Sequence, residues 1–180
     1  GEPGVGKTAV VEGVAQRLLS APGDLGKKVV VELSTADLLA GTSLRGSLSE
    51  RLNGLKEEMR RAAGRVVVFL DEIHTLVGAG STGEGAQDAA NELKGALARG
   101  EFPCIGATTH DEFRRFIQAD PALERRFTPV VVREPTVAET VEILSGLLAR
   151  YEEHHRVRYA RAAVEAAASL AARYVTDRQN

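Results

Sequence analysis

Only one cysteine, Cys104, occurs in the 180 residues. An internal disulfide is therefore impossible, and a reducing compartment, the cytoplasm, is the simplest setting. No apolar run reaches the length needed to span a bilayer, and no stretch reads as a signal peptide. Charge of one sign is lacking too: the formal net charge is −2. Bulk electrostatics thus gives no reason to expect a polyanionic partner. Tryptophan is absent and aromatics make up 4% of the chain, with none of the aromatic-basic interleaving of single-strand binders. Internal repeats are missing as well. What remains, 43% apolar and 27% charged, is ordinary for a soluble domain, or a domain with a small appendage, with a substantial core.

Helical and strand periodicities alternate along the first three quarters of the chain. Val10, Val11, Val14, Ala15 and Leu18 predict a helix over Lys7 to Leu19. Lys28 to Leu33 reads as a buried strand. Leu48, Leu52, Leu55 and Met59 mark the core stripe of an amphipathic helix from about Gly46 to Ala63. Arg65 to Glu72 is a second buried strand ending in two acids. Gly78 to Gln87 is glycine-rich and reads as a loop, followed by a helix through Leu97. Cys104 to Thr109 and Pro129 to Pro135 predict a third and a fourth strand. Between them, Thr109 or Asp111 can cap a helix carrying Phe113, Phe116 and Ile117, and Asp120-Pro121 supplies a cap with proline at the first helical position. Beyond Pro135 no strand is predicted: Thr136 with Glu139 spells a capping box opening one long helix, and Ala160 to Tyr174 a second. The expected fold class is therefore α/β, a mainly parallel, doubly wound sheet over residues 1–135 with a helical subdomain over 136–180.

The chain opens on GEPGVGKT, a full G-x-x-x-x-G-K-T spacing. Glycines let backbone N–H groups close around phosphate oxygens, and the helix that follows aims its positive end at the same charge. Lys7 would reach terminal phosphates and the Thr8 hydroxyl would ligate Mg²⁺. The apolar strand before Asp71 delivers that carboxylate at its end, as a second Mg²⁺ ligand requires, and Glu72 beside it could polarise an attacking water. DEIH also invites comparison with helicase boxes, which the charge and the missing aromatics do not support. Taken alone, Arg125-Arg126 reads as a solvated helix end. Cys104 reads as a small core hydrophobe, His74 as structural or supporting, and the adjacent His154 and His155 as a poor chelating pair because neighbours on a helix diverge.

With these stretches in hand, the chain resembles the first ATPase domain of the Clp-type AAA+ protein unfoldases, the ClpA/ClpB/ClpC group. The resemblance runs through GEPGVGKTAVVEG, LAGTSLRG, VVVFLDEIHTLVGAG, ALARGEFPCIGATTHDEF, DPALERRFTPVVVREPT and YEEHHRVRY. It implies an ATP- and Mg²⁺-dependent motor that threads polypeptides through a homo-hexameric ring, with adaptor or peptidase partners possible and nucleic acid and membrane not expected. Gly1, Glu2, Pro3, Gly4, Val5, Gly6, Lys7 and Thr8 then look like Walker A, with Ala9 beside them as a further nucleotide-binding residue, and Asp71 with Glu72 like Walker B. Thr109 stands where the family has sensor 1. Arg125 and Arg126 match arginine fingers acting on a neighbour's ATP. The family's pore loop carries an aromatic residue, whereas this chain has Leu44-Arg45-Gly46, which keeps apolar area but loses the aromatic face. A narrower remodelling task, of the kind performed by type VI secretion sheath-disassembly motors, and a nucleotide switch without productive hydrolysis are the alternatives. Gly78 to Gln87 resembles the second pore-facing loop. The family also has a strand before the phosphate loop and more lid after it, so the resemblance implies a piece cut at both ends, with weak nucleotide binding on its own.

Overall fold

Val66–Leu70 (β2) is the strand around which the rest is laid. Its apolar side chains point alternately to the two sheet faces, as the twofold repeat of a strand dictates. In the computed structural model, which describes residues 1–34, 47–78, 91 and 94–175, both faces are covered. Val68 and Leu70 pack with Met59, Ile73, Ala96, Leu97, Phe102, Ile117 and Leu123, whereas Phe69 packs with Val11 and Ala107. Val68, Phe69 and Leu70 are all essentially inaccessible, at 2%, 3% and 0% exposure. Two-sided burial is the physical signature of a doubly wound α/β sheet.

The described strands form one parallel sheet in the order β1-β2-β3, where β1 is Val29–Glu32 and β3 is Cys104–Gly106. Val29 pairs with Val66, and Val68 with Cys104. The helices follow in sequence: α1 (Lys7–Leu19), α2 (Ser47–Arg61) and α3 (Ile73–Gly78). A further turn of helix occupies residues 94–99. After β3 come α4 (His110–Glu112), which runs on as a π-helical turn over Phe113–Gln118, and α5 (Pro121–Glu124). Asp120 caps α5 by accepting from the N–H groups of Ala122 and Leu123, with Pro121 at the first turn, as expected.

Two expectations fail. The run Pro129 to Pro135 has no ladder partner among the described residues and is not a strand; Val130 and Val131 are 82% and 60% exposed. A β-branched run becomes a strand only where a neighbouring backbone takes its hydrogen bonds. β1 is also not buried: it lies at the edge of the described sheet, and Val29 and Val31 are 55% and 46% exposed. The helical predictions fare better, and Met59 with Leu55 does join the core.

By compactness, Lys7–Val130 forms one unit, and Gly1–Gly6 with Val131–Asn180 another. Within the second, α6 (Val137–His155) opens on the expected capping box of Thr136 and Glu139 and ends at Arg156, whose φ of 54° is left-handed. α6 packs against α7 (Arg161–Tyr174), which buries Val164 and Ala168. Gly4 and Gly6 take φ of 82° and 89°, values that tolerate no side chain cheaply. Among the described residues no helix is long and apolar enough to cross a membrane.

Candidate functional site

Parallel strands deliver their carboxyl ends to one edge, where open α/β sheets place their sites. β2 ends at Leu70, and the next two residues are Asp71 and Glu72. Two backbone hydrogen bonds bracket this turn: Ala107 N–H donates to Leu70 O over 2.9 Å, and Ile73 N–H donates to Ala107 O over 3.1 Å. The acids are thereby fixed beside the end of β3.

Both Asp71 oxygens are engaged. Oδ1 accepts from Glu72 N–H at 2.9 Å, and Oδ2 accepts from the Thr8 hydroxyl at 3.0 Å. Thr8 sits in the first turn of α1 directly after Lys7, and both are half-buried. The end of the phosphate-loop motif and the end of the acidic strand therefore converge.

Glu72 is exposed and its backbone is left-handed, with φ of 48°. Left-handed backbone is uncommon for a residue bearing a Cβ and is a reason to look for function. The surrounding bonds hold it there: Thr75 N–H and the Thr75 hydroxyl both donate to Glu72 O, at 2.8 and 2.9 Å. Glu72 is thereby held exposed, two residues past the end of β2.

Thr109 stands three residues beyond β3 and is the N-cap of α4. Its hydroxyl accepts from Glu112 N–H at 3.3 Å and donates to Glu112 Oε2 at 2.7 Å. Thr108 donates to the same Oε2 at 3.0 Å, and His74 Nδ1 lies 3.1 Å from it. Burial alone would raise the Glu112 pKa, but the hydrogen bonds from Thr109 and Thr108 and the nearby His74 override it and hold the carboxyl below its usual range. Reading the residues singled out His74 as a supporting group but passed over Glu112 and Thr108. The signal was present in Thr109-His110-Asp111-Glu112, which has capping-box spacing.

Arg125 and Arg126 follow α5 and are exposed, and the Arg126 guanidinium lies against Gly100. Cys104 is partly buried, and burial pushes its thiol up to about 11, which suits a core position and not a nucleophile. The candidate pore residues Leu44, Arg45 and Gly46, and the loop from 79 to 87, lie outside the described residues.

A parallel sheet, three-stranded among the described residues and covered on both faces, with a helix start whose Thr8 meets Asp71 at the end of the middle strand, defines the P-loop class of nucleotide-binding proteins. Residues 1–134 match the ATPase family associated with various cellular activities (AAA), and residues 136–180 match the AAA lid domain. The chain belongs to this AAA ATPase family. Within it, the chain is 56% identical over 180 residues to the chaperone protein ClpB of Oceanobacillus iheyensis, covering 99% of this chain and 22% of that protein. It is likewise 56% identical to the chloroplastic chaperone protein ClpC2 of Arabidopsis thaliana, covering 99% of this chain and 19% of the relative. A solved Hsp104–casein complex of S. cerevisiae superposes with a TM-score of 0.86 at 45% identity, over 99% of this chain and 30% of the other. A structure of Hsp104 with ADP superposes equally well, also at a TM-score of 0.86. The chain spans about a fifth of the length of these curated relatives.

Proposed function

We propose that this chain is the ATP-hydrolysing motor unit of a Clp-type chaperone, acting within a homo-hexameric ring that unfolds or remodels polypeptide substrates. The observation that carries this reading is the 3.0 Å contact between Thr8 Oγ1 and Asp71 Oδ2. Adjacent oxygens around an octahedral Mg²⁺, with bonds of about 2.0–2.1 Å, stand about 2.9 Å apart. The two oxygens thus already have the spacing of neighbouring ligands, and both are of the hard type that Mg²⁺ prefers. Thr8 and Asp71 would hold the Mg²⁺, which when bound would supply positive charge to offset that of the phosphates.

The remaining steps fall to this chain's own residues. The stretch Gly1, Glu2, Pro3, Gly4, Val5 and Gly6 leads into Lys7 and supplies backbone N–H donors, with Ala9 following in α1. Lys7 places its ammonium on the terminal phosphates. Glu72, held exposed on left-handed backbone, orients and polarises the attacking water. The Thr109 hydroxyl, close behind the end of β3, turns its one proton from Glu112 Oε2 to the terminal phosphate when nucleotide is bound. Arg125 and Arg126, exposed after α5, reach the nucleotide of the adjoining subunit, a role worth roughly 10³ to 10⁵ in rate in other phosphoryl-transfer enzymes. Residues 1–135 form the large subdomain in this reading and 136–180 the lid.

Leu44 in the pore triplet offers a polypeptide substrate apolar area without an aromatic face, which fits a weaker grip or a narrower remodelling task. The full-length protein carrying Glu72→Gln tests the reading. ATP binding should persist, steady-state hydrolysis should fall to background, and translocation of a labelled unfolded protein should stop. Unchanged hydrolysis, or movement of labelled single-stranded DNA in place of protein, would overturn it.

A further inference from the structure

Two capping boxes among the described residues are built alike and differ in their surroundings. In the lid, Thr136 N–H and the Thr136 hydroxyl donate to Glu139 Oε2, both at 2.8 Å, and Glu139 N–H donates back to the hydroxyl at 3.3 Å. After β3, Thr109 N–H and hydroxyl donate to Glu112 Oε2 at 3.0 and 2.7 Å, and Glu112 N–H returns at 3.3 Å. The Glu139 carboxylate also feels the charge of Arg133, whereas the second oxygen has close polar neighbours: the Thr108 hydroxyl at 3.0 Å and His74 Nδ1 at 3.1 Å. His74 also lies 3.2 Å from the Thr108 hydroxyl, and its ring stacks on Phe116, one turn beyond Glu112. His74 is 18% exposed and Glu112 31%, so solvent competes weakly for the His74 side of this cluster.

We propose that Glu112 is a positioning residue of the ATPase site. Its Oε2 ties the threonines at the end of β3 to His74, in the first turn of the helix that leaves the Asp71-Glu72 turn. This rests on the ATPase reading above. The geometry supports it on two counts. The Thr109 oxygen accepts the Glu112 amide while the Thr109 N–H and hydroxyl both donate to Glu112 Oε2; the amide bonds keep the oxygen in place when the hydroxyl proton turns to a phosphate. The segment carrying Glu72 is joined to the segment carrying Thr109 by side chains as well as by the Ile73–Ala107 backbone bond. Two groups that must address one phosphate are thereby kept in register, and misplacement by about 1 Å can cost on the order of 10²-fold in rate. Glu112 itself touches neither substrate nor nucleotide in this account.

The full-length protein with Glu112→Ala, Glu112→Gln and Glu139→Ala separates positioning from capping. Glu139→Ala removes the same cap in the lid and should leave kcat unchanged. Glu112→Ala should lower kcat about tenfold, with KM for ATP within about threefold, because the loss falls on the reacting geometry and not on uniform binding. Glu112→Gln still presents an oxygen to Thr109 and Thr108 and should restore kcat to within about threefold of the parent. A kcat for Glu112→Ala equal to that of Glu139→Ala would overturn the proposal. Should Glu112→Ala fail to fold, His74→Ala leaves the cap intact and should still lower kcat about threefold or more; parent kcat there would equally overturn it. Lys7→Ala run alongside guards the underlying reading: turnover that survives Lys7→Ala refutes the ATPase site and the positioning role together, whereas Lys7-dependent turnover indifferent to Glu112 refutes positioning alone.

Discussion

Thr8 and Asp71 lie 63 positions apart in sequence, and their side chains meet at 3.0 Å. The contact joins the start of α1 to the end of β2, two elements that the parallel sheet brings to the same edge. Asp71 is held at its other oxygen by Glu72 N–H, so its carboxylate has a fixed direction before any ligand arrives. Fixed ligands favour a small, geometrically demanding cation.

That relationship gives a first prediction. Asp71→Asn should weaken Mg²⁺-dependent nucleotide binding at least about tenfold, equivalent to about 1.4 kcal/mol, and leave Mg²⁺-independent binding little changed. Thr8→Ser keeps the hydroxyl and should behave as the parent, whereas Thr8→Val should resemble Asp71→Asn. Titrating a fluorescent nucleotide with and without Mg²⁺ distinguishes the two components; equal losses in both would remove the metal from the account.

Gly106 provides a second. A Cβ there would stand 2.9 and 3.1 Å from two Ile73 carbons, and Ile73 is 2% exposed with little room to retreat. Gly106→Ala should cost about 1–3 kcal/mol by overpacking and, by shifting Ile73, should displace Glu72 and lower turnover. Gly54, within α2, meets nothing within 4 Å, so Gly54→Ala should stabilise by about 0.5–1 kcal/mol with turnover intact. Thermal melts paired with ATPase rates on both variants check the contrast.

A third concerns acid. The Lys94 ammonium, ion-paired with Asp120, holds that carboxyl below its ordinary range; burial opposes this, and the Ala122 and Leu123 N–H groups add to the lowering. A carboxyl depressed on folding contributes stability that is fully present above its unfolded pKa, near 4, and lost as pH falls through the lower folded value. Asp120→Asn keeps the helix cap but loses the Lys94 pair, so it should flatten the fall in stability below about pH 4. Asp120→Ala loses the cap too and should cost about 1 kcal/mol more at pH 7. Denaturant midpoints measured from neutral pH down to about pH 3 test the order; an unchanged acid limb in Asp120→Asn would exclude this pair as its source.

Much of the candidate site could be proposed from residue types because its pieces are short and contiguous. Lys7-Thr8 at a helix start and Asp71-Glu72 at the end of an apolar strand each carry their own local signal. The convergence of Thr8 on Asp71 followed from the alternation of strands and helices. What was less legible depended on neighbours. Val29 and Val31 read as buried but lie at the edge of the described sheet, and Val130 to Val132 read as a strand but have no ladder partner among the described residues, because burial and pairing are set by the next element and not by β-branching. The π-helical turn at Phe113–Gln118 leaves no mark in helical periodicity. Glu112 was hidden differently: its capping spacing was in plain view, but its link to His74 crosses 38 positions (112 minus 74) and exists only in three dimensions.

The backbone of Glu72 yields a fourth prediction. With φ at 48°, this residue sits where a Cβ crowds the following carbonyl, at a cost of about 1–2 kcal/mol that glycine does not bear. Its neighbours enforce the conformation: Asp71 Oδ1 accepts the Glu72 amide, and Thr75 donates twice to the Glu72 carbonyl. Those bonds involve only Glu72's backbone and survive any change of its side chain. Glu72→Gly should therefore raise the unfolding free energy by up to about 1 kcal/mol, the gain being reduced by glycine's extra freedom in the unfolded chain, while turnover disappears. Glu72→Gln keeps the strained Cβ and should lose turnover without the gain in stability. A strained residue kept for function predicts this split between the two variants. If Glu72→Gly instead melts below Glu72→Gln, the left-handed turn is not a site of stored strain, and the exposure of Glu72 needs another physical cause.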